Sequence, residues 1–314
     1  MEIRGKNMSD IDKKLGQLDL AFMVDETGSM GPYIETVKQK ILEIIYTIRV
    51  KELCSSLRIG LVSYRDHPPE DMSFITKIFA FNEDSDKIQE AIVSMYADGG
   101  GDGPEAVCDA LFDITRLSWR EKASKIVIWM GDAPPHGVEP SGDNFPKGCP
   151  EGKNWKTEAQ RAYDKGILIY SVGCFPEIAA YKKAVDVYKE VAEITKGSFI
   201  PLEKATLLVS LITGVAESEL EKLKIEEFVA QELQKIQAES PGVTLSDSAI
   251  EMRVSSALKE KGMKLKRMRA ETVTASTPVE EADLELEEQE IQKDDVKEAL
   301  RQVRLKKLVE EDEK

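Results

Sequence analysis

Oxygen-bearing side chains follow the first largely apolar segment of the chain, residues 18–24. Asp25, Thr27 and Ser29 stand at alternate positions there, just before a helical pattern opens at Gly31. A buried strand that ends in a carboxylate and two hydroxyls places these oxygens at the carboxyl end of a strand, where ligands bind in open α/β sheets. Because Mg²⁺ prefers oxygen ligands in a compact octahedron and keeps several waters, the spacing Asp-x-Thr-x-Ser suits a small hard cation.

Two further loops carry carboxylates near predicted strand ends. Residues 98–103 read Asp-Gly-Gly-Gly-Asp-Gly and include Asp102, and the near-continuous apolar run at 125–130 leads into Asp132. Such a run is typical of a central parallel strand, so we expect Asp25 and Asp132 to end neighbouring strands with the glycine-rich loop between them. Taken singly, a strand-end Asp is most often a helix N-cap and a glycine run is a turn. Together the three loops favour a cation site.

The elements that must position these loops follow from hydrophobic periodicity. A Pro-rich connection between the second and third strands suggests an antiparallel pair, and the alternation of strands with helices predicts a doubly wound, mostly parallel α/β sheet with right-handed crossovers. Strands are predicted at 18–24, 57–64, 74–81, 125–130, 167–172 and 197–202, and helices at 34–48, 84–95, 104–114, 157–165, 178–195 and 204–237.

The composition changes beyond residue 238, which suggests a helical C-terminal extension. We divide the chain into an N-terminal tail (1–16), the α/β domain (17–219), a projecting helix (220–238), a linker with a possible short helix (239–281) and a charged amphipathic helix (282–314), a coiled-coil candidate. The basic run at 259–269 is interpreted as a solvated segment; contact with an anionic surface, or pairing with the acidic run that follows, are the alternatives.

Charge and hydropathy exclude two classes of partner. The 314 residues carry a formal net charge of −15, which argues against a nucleic-acid ligand because no excess of Lys and Arg is present. The polar N-terminus lacks a signal-peptide core, and the apolar stretch at 205–216 is shorter than the roughly 20 residues that a membrane span needs. We therefore expect a cytoplasmic protein without membrane contact.

The four cysteines, at positions 54, 108, 149 and 174, show no CxxC pair. We predict reduced and mostly buried thiols, with a Cys149–Cys174 bridge only if the protein is secreted.

The three loops together resemble the metal-ion-dependent adhesion site of von Willebrand factor A (vWA) domains. The resemblance covers roughly residues 17–219, and the forms Gly-Gly-Gly-Asp-x-Pro-Glu and Asp-Ala-Pro-Pro-His are most similar to the vWA subgroup of amoebal alpha-kinases and hemicentin-like proteins. It implies a Rossmann-like, six-stranded sheet with one antiparallel edge strand. It also implies a Mg²⁺ ion that a carboxylate of a partner protein helps to ligate; Mn²⁺ and Ca²⁺ are the alternative metals.

The resemblance also assigns ligands in two of the loops. Thr27 and Ser29 match the first-loop residues that ligate the ion directly, and Asp25 matches the residue that does so directly or through water. Asp132 matches the acid of the third loop, which is usually joined to the ion through water.

The second loop departs from the family pattern, because Asp102 stands where most members have Thr. A further carboxylate near the ion lowers the positive charge that faces a ligand, so capture of an acidic partner should be weaker. The alternative is that Asp102 turns outward and leaves Glu105 or water in its place.

Three functions fit these residues. The leading hypothesis is a Mg²⁺-dependent, non-enzymatic module that captures an acidic group of a partner protein, with C-terminal helices for assembly. A phosphotransferase or phosphohydrolase using Asp25 as nucleophile is the second; Thr27 occupies the position at which such enzymes commonly carry an acidic proton donor, and no Walker loop is present. The third is a structural scaffold subunit with a vestigial site.

Other notable residues near the predicted site have simpler interpretations. His136 is more readily a loop-fixing residue than a ligand, and His67 is interpreted as a turn residue. Trp129 lies in a central strand and should be core, whereas Tyr33 and Trp155 are candidates for the mouth of the site.

Overall fold

The computed structural model describes residues 16–50, 54–139, 141–239, 245–271 and 277–312. The expected tail at 1–16, except for its last residue, lies outside the described residues. The strands are β1 (Gln17–Asp25), β2 (Ser56–Tyr64), β3 (Thr76–Asn82), β4 (Ser124–Gly131), β5 (Ile167–Cys174), β6 (Phe199–Leu202), β7 (Lys264–Met268) and β8 (Leu286–Glu290). The helices are α1 (Gly31–Val50), α2 (Ser85–Val93), α3 (Val107–Ile114), α4 (Trp155–Asp164), α5 (Ala184–Thr195), α6 (Leu208–Glu239), α7 (Asp247–Glu260) and α8 (Lys293–Asp312).

The main sheet has six strands in the order β3-β2-β1-β4-β5-β6. All neighbouring pairs are parallel except β2 and β3, which are antiparallel. The doubly wound α/β fold with one antiparallel edge strand is therefore confirmed. Strands β1 and β4 lie side by side, so the loops that follow Asp25 and Gly131 leave the same edge of the sheet, as predicted.

Alternate residues of β1 enter two different cores, because successive side chains of a strand point to opposite faces. Leu20 and Phe22 belong to the first core, which packs against α1 and the first half of α6. Ala21 and Met23 belong to the second core, which packs against α3, α4 and α5. This two-faced burial explains why the strand reads as a nearly continuous apolar run.

The C-terminal third is a folded unit, which corrects the predicted projecting helix and linker. Helix α6 runs unbroken from the first core into a third core, whose members come from α6, α7, β7 and α8. Ile225, Val229 and Leu233 of α6 are buried there against Val254 of α7 and Leu300 of α8. The span 239–281, expected to be a linker with a possible short helix, contains that helix as the 14-residue α7 and also the unexpected strand β7.

The second half of the basic run at 259–269 forms β7 and pairs with β8, while its lysine side chains stay exposed to solvent, as expected. Lys264, Lys266 and Arg267 face Glu290, Glu288 and Glu287 across this antiparallel hairpin. Opposite charges on facing strands stabilise such a pair, while Leu265 and Met268 of β7 are buried. Pairing between the basic run and an acidic run, one of the predicted alternatives, is therefore confirmed, with β8 as the acidic partner.

The third core of the C-terminal unit lies against the edge of the sheet opposite the three predicted loops, whereas Val279 N donates to Pro201 O in β6. Arg301 of α8 donates to the carbonyl of Tyr163, close to the start of β5, and a Cβ on Gly166 would lie 2.9 Å from Oε1 of Gln302. Parallel strands run away from this edge, so the ends of β1 and β4 are at the far side. Within the described ranges, no helix is both long and apolar enough to cross a membrane.

Candidate metal site

Asp25 ends β1 with a fully buried side chain that is only half satisfied. Its Oδ1 accepts from the backbone N–H of Thr27 at 2.9 Å and from the Thr27 hydroxyl at 2.6 Å. Its Oδ2 is buried without a hydrogen-bond partner among the described residues. Burial, followed by the nearby Asp132, raises the pKa of Asp25 to about 8. A cation at Oδ2 would satisfy the lone pairs that the protein leaves unused.

The first loop brings its two hydroxyls together. Thr27 Oγ1 and Ser29 Oγ are 3.5 Å apart, and Ser29 is exposed while Thr27 is buried. Burial raises the pKa of Asp132, and a hydrogen bond with the Ser29 side chain opposes that rise. The first and third loops therefore meet at Ser29 and Asp132, as the sequence predicts, and the exposed hydroxyl marks the side open to solvent.

The glycine-rich loop approaches the first loop too closely for side chains. Gly28 N donates to Gly99 O at 3.3 Å. A Cβ on Gly100, whose φ is +82°, would lie 2.9 Å from Glu105 Oε1 and 3.2 Å from the Cβ of Thr27. The glycines therefore allow the two loop backbones to approach closely, and they also allow the left-handed backbone conformation of the turn.

Glu105 is the second-loop carboxylate that lies beside Thr27. Its backbone N–H donates to Pro134 O at 2.9 Å, and an isolated parallel bridge joins it to Pro135, so it ties the second loop to the third. Its side chain is buried, and Oε2 has no partner in the described part of the chain. Burial and then the charge of Asp25 raise its pKa well above the usual value.

Asp102 turns toward a different group of residues. Its Oδ2 accepts from the backbone N–H of Asn144 at 2.6 Å, and its carboxylate lies within 4.8 Å of ligand atoms of Asp66 and His136. Burial raises its pKa to about 6. This is the outward-turned alternative, with Glu105 nearer the first loop; ligation by Asp102 itself stays a prediction.

Asp66 and His136 form a buried pair that the motif did not single out. His136 Nε2 lies 2.6 Å from Asp66 Oδ1, and its Nδ1 lies 2.9 Å from Asp143 Oδ1. These two carboxylates raise the pKa of His136 against its burial. The loop-fixing interpretation of His136 fits this geometry. Asp66 also contributes to the raised pKa of Asp25, and its place just after β2 was the signal that could have revealed it.

Four buried or half-buried carboxylates with an unpartnered oxygen meet at this edge. Those atoms are Oδ2 of Asp25, Oδ2 of Asp66, Oδ1 of Asp102 and Oε2 of Glu105, each lacking a partner within the described ranges. Two basic side chains lie nearby: His136 contacts Asp66 Oδ1, and Arg65 lies 3.9 Å from Glu26 and 3.7 Å from Asp71. A donor set made of carboxylates and hydroxyls, with excess negative charge, suits a hard divalent cation.

The aromatic residues near the loops are structural. Tyr33 and Trp155 were predicted to line the mouth, but both are buried, and the Tyr33 hydroxyl hydrogen-bonds to the carbonyls of Phe175, Leu202 and Glu203. Trp129 is core, as predicted, and donates to the Tyr64 hydroxyl at 3.0 Å.

The cysteines and His67 complete the comparison with the sequence. None of the four cysteines, all within the described residues, forms a disulfide, and Cys108 and Cys174 are buried. His67 lies in the turn after β2, as predicted, and Glu70 N donates to its carbonyl at 2.9 Å. Its side chain is buried beside Asp109, a contact that the interpretation as a turn residue did not include.

Comparison with known proteins identifies the domain. A family model described as von Willebrand factor A domain matches residues 19–139. The alpha-protein kinase vwkA of Dictyostelium discoideum is 34% identical over 137 residues, which cover 43% of this chain and 22% of the kinase. A protein named as an ariadne-like RING finger protein of Acanthamoeba polyphaga mimivirus is 33% identical over 164 residues, or 49% of this chain and 16% of that protein. The match thus spans less than a quarter of either relative.

Solved structures with similar folds have lower sequence identity. A von Willebrand factor type A protein from Catenulispora acidiphila is 13% identical with a TM-score of 0.48, covering 66% of this chain and 43% of the other. The pilus adhesin SpaC from Lactobacillus rhamnosus GG is 13% identical with a TM-score of 0.49, covering 66% and 30%. From the family match, the amoebal relative and the sheet order, the chain carries a von Willebrand factor A domain.

Proposed function

We propose that this vWA domain is a divalent-cation-dependent, non-enzymatic binding module that captures an acidic group of a partner protein. The observation that carries the proposal is the buried Oδ2 of Asp25, which lacks a partner among the described residues. It lies in the loop whose Thr27 and Ser29 hydroxyls are already adjacent. Mg²⁺ is the metal that best suits this oxygen donor set, with Mn²⁺ as a close substitute.

The residues have separable roles in this proposal. Asp25, Thr27 and Ser29 would hold the cation from the first loop, Asp132 from the third, and Glu105 or Asp102 from the second. The bound cation would supply an open coordination position for an anionic oxygen of the partner. Ser29 is the exposed member of the set, so the partner would approach from its side.

The carboxylates also set how strongly an anion is held. Each additional ionised carboxylate beside the cation lowers the positive charge that a partner's acidic group meets. Asp102 is held by Asn144, Asp66 and His136, whereas a Cβ on Gly100 would meet both Glu105 Oε1 and Thr27 of the first loop. We therefore propose Glu105 as the second-loop group that tunes affinity, and Asp102 as a group that fixes the loop.

Calorimetric titration with Mg²⁺ and Mn²⁺ tests the metal site. Binding by the wild type should be lost in Asp25→Ala and kept in Glu190→Gln, a control that removes a carboxylate from an exposed pair with Lys156. Equal binding by the wild type and Asp25→Ala would refute the site.

Affinity capture of partners with and without EDTA tests the function. Partners should be recovered in Mg²⁺, be lost in EDTA, and return when Mg²⁺ is restored. Recovery that is indifferent to EDTA would favour the scaffold hypothesis. Hydrolysis of a generic phosphate ester that disappears in Asp25→Asn would favour the enzyme hypothesis.

A further inference from the structure

A second group of ligand-type atoms lies beside the proposed site but uses none of its residues. His67 Nε2, Asp109 Oδ2 and Cys149 Sγ lie within 4.8 Å of one another. Nε2 is 3.0 Å from Oδ2, Sγ is 3.2 Å from Oδ2, and Sγ is 3.9 Å from Nε2. The three residues come from the turn after β2, the first turn of α3 and the loop before α4. Three distant segments of sequence therefore converge on one point.

These separations are each within about 0.4 Å of those in a tetrahedral metal site. With metal–ligand distances of about 2.0–2.3 Å, the edges of a Zn²⁺ tetrahedron are about 3.3–3.6 Å long. The three observed separations bracket those values. Thiolate and imidazole ligands together select Zn²⁺ over Mg²⁺ or Ca²⁺, which prefer oxygen.

The neighbouring residues occupy one oxygen of the Asp109 carboxylate and leave the other available to a metal ion. Lys153 Nζ lies 2.5 Å from Oδ1, which leaves Oδ2 facing His67 and Cys149. The rings of Phe145 and His136 pack against the His67 ring, with centroids 5.7 and 5.6 Å away. His67 and Asp109 are buried, whereas Cys149 is partly exposed, so an ion would enter from the Cys149 side.

A nucleophilic cysteine is the competing use of these residues, and the geometry disfavours it. His67 Nε2 hydrogen-bonds to Asp109 and is the more distant neighbour of Cys149, so it is not placed to take the thiol proton. Burial and the hydrogen bond to Asp109 raise the pKa of Cys149 to about 11. The thiolate that nucleophilic catalysis requires is therefore disfavoured in the metal-free protein.

We infer that His67, Asp109 and Cys149 bind a single Zn²⁺ ion, separate from the Mg²⁺ site, that fastens the loop before α4 to α3 and the β2 turn. The Cys149 thiol donates to Oδ2, and a neutral His67 imidazole with its proton on Nε2 would donate to the same oxygen. The ion takes the place of these two protons: the thiol proton goes to solvent, and the imidazole proton moves from Nε2 to Nδ1. The two negative charges of the thiolate and carboxylate then balance the charge of the ion. Water fills the fourth position.

Cobalt titration of the chelator-treated full chain tests this inference. One Co²⁺ per chain should give a near-ultraviolet thiolate-to-cobalt charge-transfer band, and Zn²⁺ should abolish it. The band should be absent in Cys149→Ser and unchanged in Cys54→Ser, a cysteine near the opposite end of β2. Zn²⁺ affinity should fall by more than about 100-fold in Cys149→Ser, since even removal of outer-shell partners costs 10–100-fold. A wild type without the band, or a band that survives in Cys149→Ser, overturns the inference.

Alkylation of the wild type gives a readout that needs no substitution at the cluster. Zn²⁺ should slow iodoacetamide modification of Cys149 at least about ten-fold, the loss of free thiol that tight ligation implies, while Mg²⁺ should not. Peptide mapping reports Cys54 in the same sample as the control. Equal rates with and without Zn²⁺ would overturn the inference. The same protection is expected in Asp25→Asn, so failure of the Mg²⁺ site and failure of the Zn²⁺ site are distinguishable.

Discussion

At the scale of single residues, Asp25 carries the main energetic conflict of the domain. Its carboxyl group is fully buried, and its pKa is raised from 3.8 to about 8 by burial and by Asp132. The metal-free fold therefore favours the protonated acid. Metal binding in the proposed site requires the ionised Asp25 carboxylate. The loop therefore presents a ligand whose ionised form is disfavoured until a metal binds.

This conflict predicts a pH dependence of stability. Because the folded-state pKa exceeds the unfolded one, the stabilisation from protonated Asp25 is complete below pH 3.8 and is lost as the pH rises toward about 8. The carboxamide of Asp25→Asn lacks this titration. In EDTA, denaturant unfolding should find Asp25→Asn increasingly more stable than the wild type across that window, by at most about 1.4 kcal/mol per pH unit. Parallel pH profiles for the two proteins would contradict the assignment.

Gly100 predicts a loss of metal affinity through sterics alone. An alanine Cβ would press on Glu105 Oε1 at 2.9 Å and Thr27 Cβ at 3.2 Å, displacing two residues of the proposed site. Gly142 is the matched control, since it has nearly the same φ, +83° against +82°, and nothing within 4 Å of its Cβ position. Both alanine variants should lose about 1–2 kcal/mol of stability from backbone strain. Calorimetry should show weaker Mg²⁺ binding for Gly100→Ala alone; equal losses of affinity would exclude the steric explanation.

The sequence specified the first loop well and the other residues of the site poorly. Asp25, Thr27 and Ser29 lie within five positions of a strand end, so local spacing alone brings their side chains together. Asp66 and Glu105 approach the same point only through tertiary pairing, with Glu105 N bound to Pro134 O. The outward turn of Asp102 depends likewise on Asn144, some 40 positions later in the chain.

At the scale of elements, β1 carries a buried carboxyl group near each end, and of the two only Asp19 is paired with basic side chains. Asp19 receives bonds from Arg58 Nε at 2.9 Å and from Arg120 Nε at 2.8 Å, and its side chain is fully buried. This triad fastens β1 to β2 and to the segment before β4 at the edge opposite the proposed metal site.

Removal of that carboxylate should destabilise the fold without affecting the metal. Asp19→Ala removes the carboxylate that Arg58 and Arg120 share and leaves Arg120 with Glu83 at 3.8 Å. Each arginine is 19% exposed, so solvent moderates the loss, and we expect a destabilisation of about 3 kcal/mol. Glu43→Ala, which breaks an exposed pair with Lys40, should cost less than about 0.5 kcal/mol. Chemical denaturation measures both. Mg²⁺ affinity should be unchanged, because six residues of strand, about 20 Å, separate Asp19 from Asp25; a changed affinity would show that the two ends are coupled.

The elements of the α/β domain were predictable, whereas the β7–β8 hairpin was not. The six strands of the main sheet are buried or flanked by turns, so their apolar runs and Pro or Gly punctuation identify them. Strands β7 and β8 instead consist largely of Lys, Arg and Glu, and their pairing is stabilised by cross-strand charge and by a few buried residues such as Leu265. A hydrophobicity pattern does not reveal a strand of that kind.

At the scale of the whole molecule, the candidate binding loops and the third core of the C-terminal unit occupy opposite edges of one sheet. The third core depends on the apolar face of α6, in which Val229 is fully buried. Because these surfaces are far apart, the stability of the C-terminal unit and the affinity for metal should vary independently.

Substitution in the third core tests this independence. Val229→Asp places a charge among apolar residues, which costs several kcal/mol, so α7, the hairpin and α8 should detach from α6. Limited proteolysis should then cleave the chain after residue 239, while Mg²⁺ binding remains within about three-fold of the wild type, a difference of under 1 kcal/mol. Gln231→Asp, on the exposed face of the same helix, is the control. Loss of metal binding in Val229→Asp would show that the two edges are linked.

Helix α6 also determines how force is transmitted between the α/β domain and the C-terminal unit. Its 32 residues form one rod about 48 Å long that is built into the first core at one end and the third at the other. If a flexible linker joined the two parts, a partner captured by the loops could occupy a wide range of positions relative to a molecule bound by the C-terminal unit. An unbroken helix instead fixes a distance and a direction, so tension between a partner on the loops and an anchor on the C-terminal unit would pass through the sheet along a defined line.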